Sequence, residues 1–218
     1  MAELVKKRTK RDIESERKRK KIYEEGIKLF RTYGYDNTTL EDIRQASGMS
    51  RGSIYHFFSK KRDILYYFFA ETSKEAMNSL VINDENLMKP ARAIQDYTVK
   101  VAEANEALGY DLACVMQDAY LDASDDTRFS SKFVHDIAVF IEAAQEKGTC
   151  KGDIDPIEAA HCIHIASAGM FRKWIIDSGK FPLGAATEWY MPFIINDFVE
   201  EKYKVTRTGD CPVRFKVL

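Results

Sequence analysis

The sequence predicts an all-α fold of about nine helices, with a small N-terminal domain and a larger C-terminal one. Apolar residues recur with the helical period from about residue 16 onward, and no run alternates with the period of two that marks a half-buried strand. The hydrophobic share of 45% is enough for a buried core. Beside such a core, the charged share of 31% indicates a solvated surface and not a disordered chain.

Local signals divide the N-terminal region into four helices. The first is predicted from Glu16 to Tyr33, with Gly34 as its C-terminal glycine. Its inner face is expected to comprise Ile22, Gly26, Leu29, Phe30 and Tyr33. A second helix, from Leu40 to about Ser47, starts with Thr38-Thr39-Leu40-Glu41, where we expect the Glu41 carboxylate to complete a capping box.

A third short helix and a fourth long one follow. The turn Gly48-Met49-Ser50 leads into Arg51–Phe57, with Ser50 as its cap, and the next helix starts near Ser59. Two short helices joined by a glycine-containing turn form a helix-turn-helix. The residues spaced to pack this pair on the first helix are Ile43, Ala46, Met49, Ile54 and Phe58.

The later helices are predicted from proline and capping signals. One begins at Pro90, and two or three more run through about 109–147 with an interruption near 122–127. After a loop at 148–152, Asp155-Pro156-Ile157-Glu158 opens a helix that continues to about Ser178. A last helix spans roughly 184–203, and Pro192 should kink it or shift its start.

Charge is distributed unevenly along the chain. Residues 1–62 hold 17 Lys and Arg against 9 Asp and Glu, a net charge of +8, whereas residues 63–218 hold 16 against 25, a net charge of −9. A basic N-terminal region on an acidic remainder suggests a polyanionic partner for the former. We therefore expect four regions: a flexible basic arm (1–15), a helix-turn-helix domain (16–62, with the motif at 39–58), a larger helical domain (63–203), and a tail (204–218).

Several function classes lack support in the sequence. The N-terminus carries charge without an apolar segment, and no stretch approaches the roughly 18 apolar residues of a membrane span, so we expect a cytoplasmic protein with no membrane partner. Four scattered cysteines form no metal or disulfide pattern and are expected to be buried or idle. His161 and His164, with Glu158 one turn earlier, have a spacing that zinc can use, but polar positions at a dimer contact explain them better. No cofactor or metal is predicted.

The helix-turn-helix segment resembles the N-terminal domain of the TetR family of transcriptional regulators. The resemblance runs through residues 22–65 with matching spacing, and only Gly26 and Ser47 replace alanines that are common in the family. The matching positions are Ile22, Leu29, Phe30, Gly34, Tyr35, Thr38, Thr39, Asp42, Ile43, Ala46, Gly48, Ser50, Gly52, Tyr55, Phe58, Lys61 and Ile64. The resemblance implies a dimer that binds a palindromic operator in double-stranded DNA.

Family resemblance and helix geometry together give the expected DNA contacts. The resemblance implies that Thr39, Tyr55 and Lys61 contact phosphates. The start of the recognition helix should contact base edges through Arg51 and Ser53, with Arg44 or Gln45 assisting; for Arg51 a phosphate contact is an equal alternative. Gly52 would let the backbone approach the duplex closely. The full candidate set is Thr38, Thr39, Arg44, Gln45, Ser50, Arg51, Gly52, Ser53, Tyr55, His56, Lys60 and Lys61.

The basic stretch from Lys6 to Lys21 has two interpretations. It resembles the arms that some such regulators place in the minor groove. A non-specific electrostatic tether explains it equally simply, and we favour that interpretation because polybasic arms mostly supply salt-dependent affinity.

In the C-terminal domain the resemblance is one of layout. It implies dimerisation through the last two long helices and an effector site between the middle ones. The helix at 156–178 is apolar on nearly every side, so a second subunit is its natural cover. The expected dimer residues are Ile163, Ala166, Met170, Trp189 and Phe193. The candidates for a pocket that binds a small hydrophobic or aromatic effector are Tyr97, Tyr110, Met116, Tyr120, Phe133, Phe140, Phe171 and Trp174.

Three functions are therefore compared. The preferred one is a sequence-specific repressor that an effector releases from its operator. The second is a similar regulator without an effector, controlled by a protein partner. The third, a helical enzyme, has no catalytic Ser/His/Asp set, phosphate-binding loop or metal cluster in its favour.

Overall fold

The computed structural model describes residues 9–121 and 128–213, apart from the side chains of residues 118–121 and 128–131. The predicted interruption at 122–127, the first eight residues of the predicted arm and the end of the predicted tail lie outside the described residues. The chain divides into two compact units, one ending at Phe69 and the other beginning at Ala70.

The N-terminal unit consists of α1 (Lys10–Tyr33), α2 (Leu40–Ser47), α3 (Arg51–Phe57) and most of α4 (Lys61–Thr72). The expected boundary after residue 62 is too early, because Ile64, Leu65 and Phe69 of α4 are buried. Contact with α1 explains this for Ile64: a Cβ added to Gly26 would come within 2.9 Å of its Cγ2. Gly26 replaces the alanine that is common in the family because the Ile64 side chain of α4 fills the space that a methyl group would need.

Helix α1 begins well before the predicted Glu16. Thr9 is its N-cap, and its hydroxyl accepts a hydrogen bond from the Asp12 amide while the Asp12 carboxylate accepts one from the Thr9 amide. This capping box starts a helix in a segment whose charge density hides any apolar period. Residues 10–15 are therefore helix and not a flexible arm.

The packing face of the N-terminal unit differs in two places from the predicted one. On α1, Ile27 is buried, whereas Tyr33 is exposed and Leu29 half-buried. On α2, Ser47 is buried and Ala46 exposed. The Ser47 hydroxyl donates to the Arg44 carbonyl at 3.2 Å, which satisfies it locally inside the core.

The predicted starts of α2 and α3 are correct, with one change of partner. Thr39 caps α2, but its capping-box partner is Asp42 rather than Glu41: the Asp42 carboxylate accepts from the Thr39 amide at 2.8 Å. Ser50 caps α3 by accepting from the Ser53 amide at 3.2 Å. Between them Gly48 ends α2 with a φ of 65°, a left-handed conformation that glycine adopts without strain.

The C-terminal unit is also all-helical where it is described. Its helices are α5 (Lys74–Met77), α6 (Asp84–Leu87), α7 (Pro90–Ala107), α8 (Tyr110–Leu121), α9 (Arg128–Glu146), α10 (Pro156–Ile176), α11 (Leu183–Tyr190) and α12 (Pro192–Ile195), followed by a 3₁₀ turn at Glu201–Tyr203. Within the described part of the chain nine helices have seven or more residues, as predicted, and three more have four each. The predicted starts at Pro90 and Pro156 are correct, and no described helix is long and apolar enough to span a membrane.

The predicted last helix is not continuous. It ends at Tyr190, and Pro192 opens the separate four-residue α12, because proline has no amide hydrogen for the helix ladder. The described residues after Lys204 are held to the C-terminal unit at two points, although the sequence shows no pattern there. Asn196 exchanges two hydrogen bonds of 2.9 Å with the backbone of Val205, and Val213 is buried.

Candidate nucleic-acid interface

The exposed surface of α3 is built on a buried side that fixes its orientation. Ile54 and, just after the helix, Phe58 are buried in the core of the N-terminal unit. The opposite side leaves Arg51, Gly52 and Tyr55 exposed, and Tyr55 keeps 51% of its surface. A large aromatic ring held out by a short capped helix is available to a partner.

Polar side chains border this surface at the starts of α2 and α3. Thr39 is exposed, and its hydroxyl donates to the Asp42 carboxylate at 2.7 Å, which helps to lower the pKa of Asp42. The Ser50 and Ser53 hydroxyls lie 2.9 Å apart. His56 is exposed at the end of α3 with its ring against Phe57. These side chains and the α3 surface form one continuous set.

Arg44 serves the fold of the N-terminal unit. Its Nε donates to both carboxylate oxygens of Glu41 at 2.9 Å, and its Nη1 donates to the Met49 carbonyl at 3.3 Å. The hydrogen bonds from Arg44 hold the pKa of Glu41 below its usual value. Gln45 also donates to Glu41, at 3.3 Å, but remains exposed. Of the two candidates on α2, Gln45 is the better placed for a partner.

Two further candidates make hydrogen bonds inside the N-terminal unit. Thr38 is 2% exposed, and its hydroxyl donates to the Gly34 carbonyl at 2.9 Å. The Lys61 ammonium donates to the Tyr35 carbonyl at 2.7 Å and to the Thr38 carbonyl at 3.3 Å, and it lies 4.2 Å from the centre of the Tyr35 ring. Both side chains therefore hold the loop between α1 and α2. The exposed neighbour Lys60 is the better candidate for a phosphate contact.

The structure also places two residues of the basic stretch on a helix beside α3, which the sequence did not predict. Arg11 and Lys18 on α1 line a groove together with Ser53 and His56 of α3. The signal that could have revealed this was the capping pattern Thr-x-x-Asp at residues 9–12, which extends α1 toward α3.

Comparison with known proteins identifies this arrangement. Residues 22–68 match the bacterial regulatory proteins of the tetR family. The HTH-type transcriptional repressor AcnR of Corynebacterium glutamicum is 24% identical over 179 residues, which cover 78% of this chain and 85% of the relative. Residues 22–68 therefore match the tetR family, and the longer alignment shows that most of the chain is similar to a transcriptional repressor.

Two solved structures share the fold of this chain. SmeT, the repressor of the Stenotrophomonas maltophilia multidrug efflux pump SmeDEF, aligns with a TM-score of 0.64 at 18% identity, over 90% of this chain and 97% of its own. Thermus thermophilus FadR, in complex with lauroyl-CoA, aligns with a TM-score of 0.64 at 17% identity, over 90% of this chain and all of its own. The chain therefore shares the all-helical fold of these two proteins over most of its length.

Five of the candidate effector residues lie in two separate clusters of the C-terminal unit. Tyr97, Phe133 and Phe140 are buried in the larger cluster, where the Tyr97 and Phe133 rings stack 5.2 Å apart. The Tyr97 hydroxyl donates to the Asp136 carboxylate at 3.2 Å and to the Met77 sulfur at 3.4 Å. Burial raises the pKa of Tyr97 above its ordinary value.

The second cluster contains Phe171 and Trp174, with stacked rings 6.2 Å apart. Tyr110 contacts the Trp174 ring from outside this cluster and is itself exposed. Met116 is buried, and the side chain of Tyr120 lies outside the described residues. The described candidates other than Tyr110 are thus buried side chains of packed cores.

The candidate dimer residues separate into buried and available ones. Ile163 is fully buried in its own domain, so it cannot form a dimer contact, and the prediction for it is wrong. Ala166 and Met170 are half-buried against the two clusters. Trp189 is half-buried and Phe193 is 55% exposed; the Arg207 guanidinium lies over both rings, 3.9 Å from the centre of Phe193.

A different side of α10 carries the exposed surface. Its members share an i, i+3, i+4 spacing and are Glu158, His161, Cys162, Ile165, Ala168, Gly169, Arg172 and Ile176. Ile165 and Ile176 are 68% and 67% exposed. Cys162 is thus exposed rather than buried, and His164 points the other way, toward the Phe133 ring 5.6 Å away. Among the described residues no three metal-binding side chains come together.

Proposed function

We propose that this protein is a homodimeric transcriptional repressor that binds a palindromic operator through α3 and is released when a small molecule binds the C-terminal domain. The observation that carries the proposal is the exposed α3 surface of Arg51, Gly52 and Tyr55, held by a buried core in a TetR-type domain. Such a regulator would act in the cytoplasm, where bacterial DNA is found.

The proposed complex places α3 in the major groove. Gly52 has open space around its Cα, since a Cβ added there would meet no atom within 4 Å, so the backbone can approach the base edges. Arg51 would bind a guanine or a phosphate. Tyr55, Thr39, Lys60 and the amides at the start of α2 would hold the phosphates on either side.

The dimer is proposed to form through the exposed side of α10. If two copies of α10 cross antiparallel at Ile165, Glu158 of each faces Arg172 of the other, since both lie seven residues from the centre. The same pairing sets His161 against Gly169, a large side chain against none. Charge and size are therefore complementary across a two-fold axis, as an isologous interface requires.

An effector would act by binding one dimer state better than another. Only such differential affinity can shift the distance between the two α3 helices away from the 34–36 Å that separates successive major grooves. FadR was solved with lauroyl-CoA, and SmeT has been solved with triclosan, which supports a hydrophobic or aromatic effector here. We propose that it enters between the clusters that contain Tyr97 and Trp174.

The packed state of those clusters also supports a second candidate, a TetR-type regulator controlled by a protein partner. Tyr97, Phe133 and Phe140 are each at most 1% exposed, so a ligand must displace side chains to enter. Mass spectrometry of the denatured purified protein distinguishes the two. A co-purified small molecule that lowers operator affinity supports the effector, and a partner protein that does so without one supports the alternative.

Operator binding itself is tested with tyrosine variants of the full-length protein. Tyr55→Ala should lower the affinity for DNA flanking its own gene by at least about tenfold, because the ring lies on the α3 surface. Tyr33→Ala is the matched control, since Tyr33 is also an exposed tyrosine of the N-terminal unit but lies at the far end of α1. Fluorescence anisotropy at two salt concentrations measures both; equal affinities for the two variants would contradict the proposal.

A further inference from the structure

The first three turns of α1 project beyond the core of the N-terminal unit. The first buried residue of α1 is Ile22, twelve residues after the helix begins at Lys10. The extension is nevertheless held in place. The Arg19 guanidinium lies over the Tyr67 ring of α4, 4.8 Å from its centre, and 6.0 Å from the centre of the Phe58 ring just after α3.

Held in this way, the extension forms one wall of a groove of about 410 Å³ whose other wall is α3. Arg11, Ser15 and Lys18 line it from α1, and Ser53 and His56 line it from α3. The residues from α3 belong to the proposed DNA surface, so the groove continues that surface sideways. A duplex seated on α3 would bring its flanking strand to this groove.

The charges of the extension are divided between two neighbouring grooves that both border α3. Arg11 and Lys18 line the groove described above, whereas Asp12 and Glu16 line the second one, which reaches Tyr67. The one carboxylate that lines the first groove, that of Glu14, is neutralised by Lys18 at 3.0 Å, and the same contact lowers its pKa. Among the described residues Arg11 has no acidic partner.

We propose that this groove holds a sugar-phosphate strand of the operator duplex, with Arg11 and Lys18 facing its phosphates. The proposal rests on the proposed function and adds a contact made by a rigid helix, in place of the flexible arm expected from the basic sequence. Arg19 is a positioning residue. Its guanidinium packs on the two aromatic rings and thereby fixes where Arg11 lies.

Salt dependence of DNA binding tests the contact, because each phosphate neutralised by a protein cation contributes about 0.9 to the slope of log affinity against log salt. Affinities of the full-length protein are measured between about 50 and 200 mM salt on an operator duplex and on a random duplex of equal length. Arg11→Gln should reduce the slope by about 1 on both duplexes, because a phosphate contact is independent of sequence. Lys20→Gln is the matched control: nine residues away, it lies on the opposite side of the helix and removes the same charge.

A proline variant separates a rigid helix from a flexible arm. Ser15→Pro should unwind the first turns of α1 and reduce the salt slope as much as Arg11→Gln does. Circular dichroism melting checks that the remainder of the protein stays folded. Equal slopes for Arg11→Gln and Lys20→Gln would overturn the proposal, and so would a wild-type slope in a folded Ser15→Pro. If the wild-type protein shows no preference for the operator, the proposed repressor function is contradicted instead. The salt slopes on the random duplex then still test whether the groove binds phosphates.

Discussion

At the scale of single residues, similar side chains of the N-terminal unit have different roles. Lys60 and Lys61 are neighbours, yet Lys60 is exposed while the Lys61 ammonium donates to backbone carbonyls of the loop between α1 and α2. Likewise Thr39 is exposed at a helix cap, and Thr38 is buried beneath it. Of two neighbouring residues, one thus makes contacts inside the unit while the other stays exposed and is a candidate for the proposed DNA contact.

Replacing each lysine separates these roles. Lys61→Met should lower the free energy of unfolding by about 1–2 kcal/mol, because it leaves loop carbonyls without their charged donor. Lys60→Met should leave the stability within about 0.5 kcal/mol and reduce the salt slope of DNA binding instead. Urea unfolding and anisotropy measure the two quantities. A stable Lys61→Met with a reduced salt slope would show that Lys61 is the phosphate contact after all.

At the scale of elements, the seven-residue α3 keeps a glycine in its first turn at a cost. A helical glycine is about 1 kcal/mol less favourable than alanine, and nothing within 4 Å prevents a side chain at Gly52. Gly26 of α1 differs, because the side chain of Ile64 fills its space. Packing therefore does not account for the glycine at position 52, whereas the proposed approach of a DNA duplex does.

Gly52→Ala should move stability and DNA affinity in opposite directions. The free energy of unfolding should rise by about 0.5–1 kcal/mol, while the affinity for the operator should fall by about tenfold or more because the new methyl group meets the duplex. Thermal melting and anisotropy give the two values on one sample. An unchanged or higher affinity would place Gly52 away from the DNA.

Helix starts could be predicted from the sequence because their signals are local. Thr39, Ser50 and the Asp155-Pro156 pair each cap or open a helix where expected. The start of α1 was missed because periodicity is invisible in a segment with few apolar residues, although the Thr9 cap was present.

The site was predicted less completely, since burial depends on which helices meet. On α2 one step along the helix rotates a side chain by about 100°, enough to bury Ser47 and expose Ala46. Nothing in the sequence near Lys61 indicates that its ammonium reaches carbonyls more than twenty residues away. Ile163 is apolar, as many interface residues are, but it is enclosed by its own domain.

At the scale of the whole molecule, the proposed function requires two copies of α3 at a fixed separation. The exposed side of α10 centred on Ile165 supplies the proposed contact, and operator symmetry should mirror it. Ile165→Glu sets two carboxylates against each other at that centre and should yield a folded monomer. Ile82→Glu is the control, since Ile82 is an exposed isoleucine in a loop of the same unit.

Footprinting of DNA flanking the gene tests most directly whether a dimer binds its operator through paired α3 helices. Wild type and Ile82→Glu should protect two symmetric half-sites about 34–36 Å apart, and Ile165→Glu should lose both together at the same concentration. Protection without two-fold symmetry, or undiminished protection by a monomeric Ile165→Glu, would contradict a dimer that binds its operator through paired α3 helices.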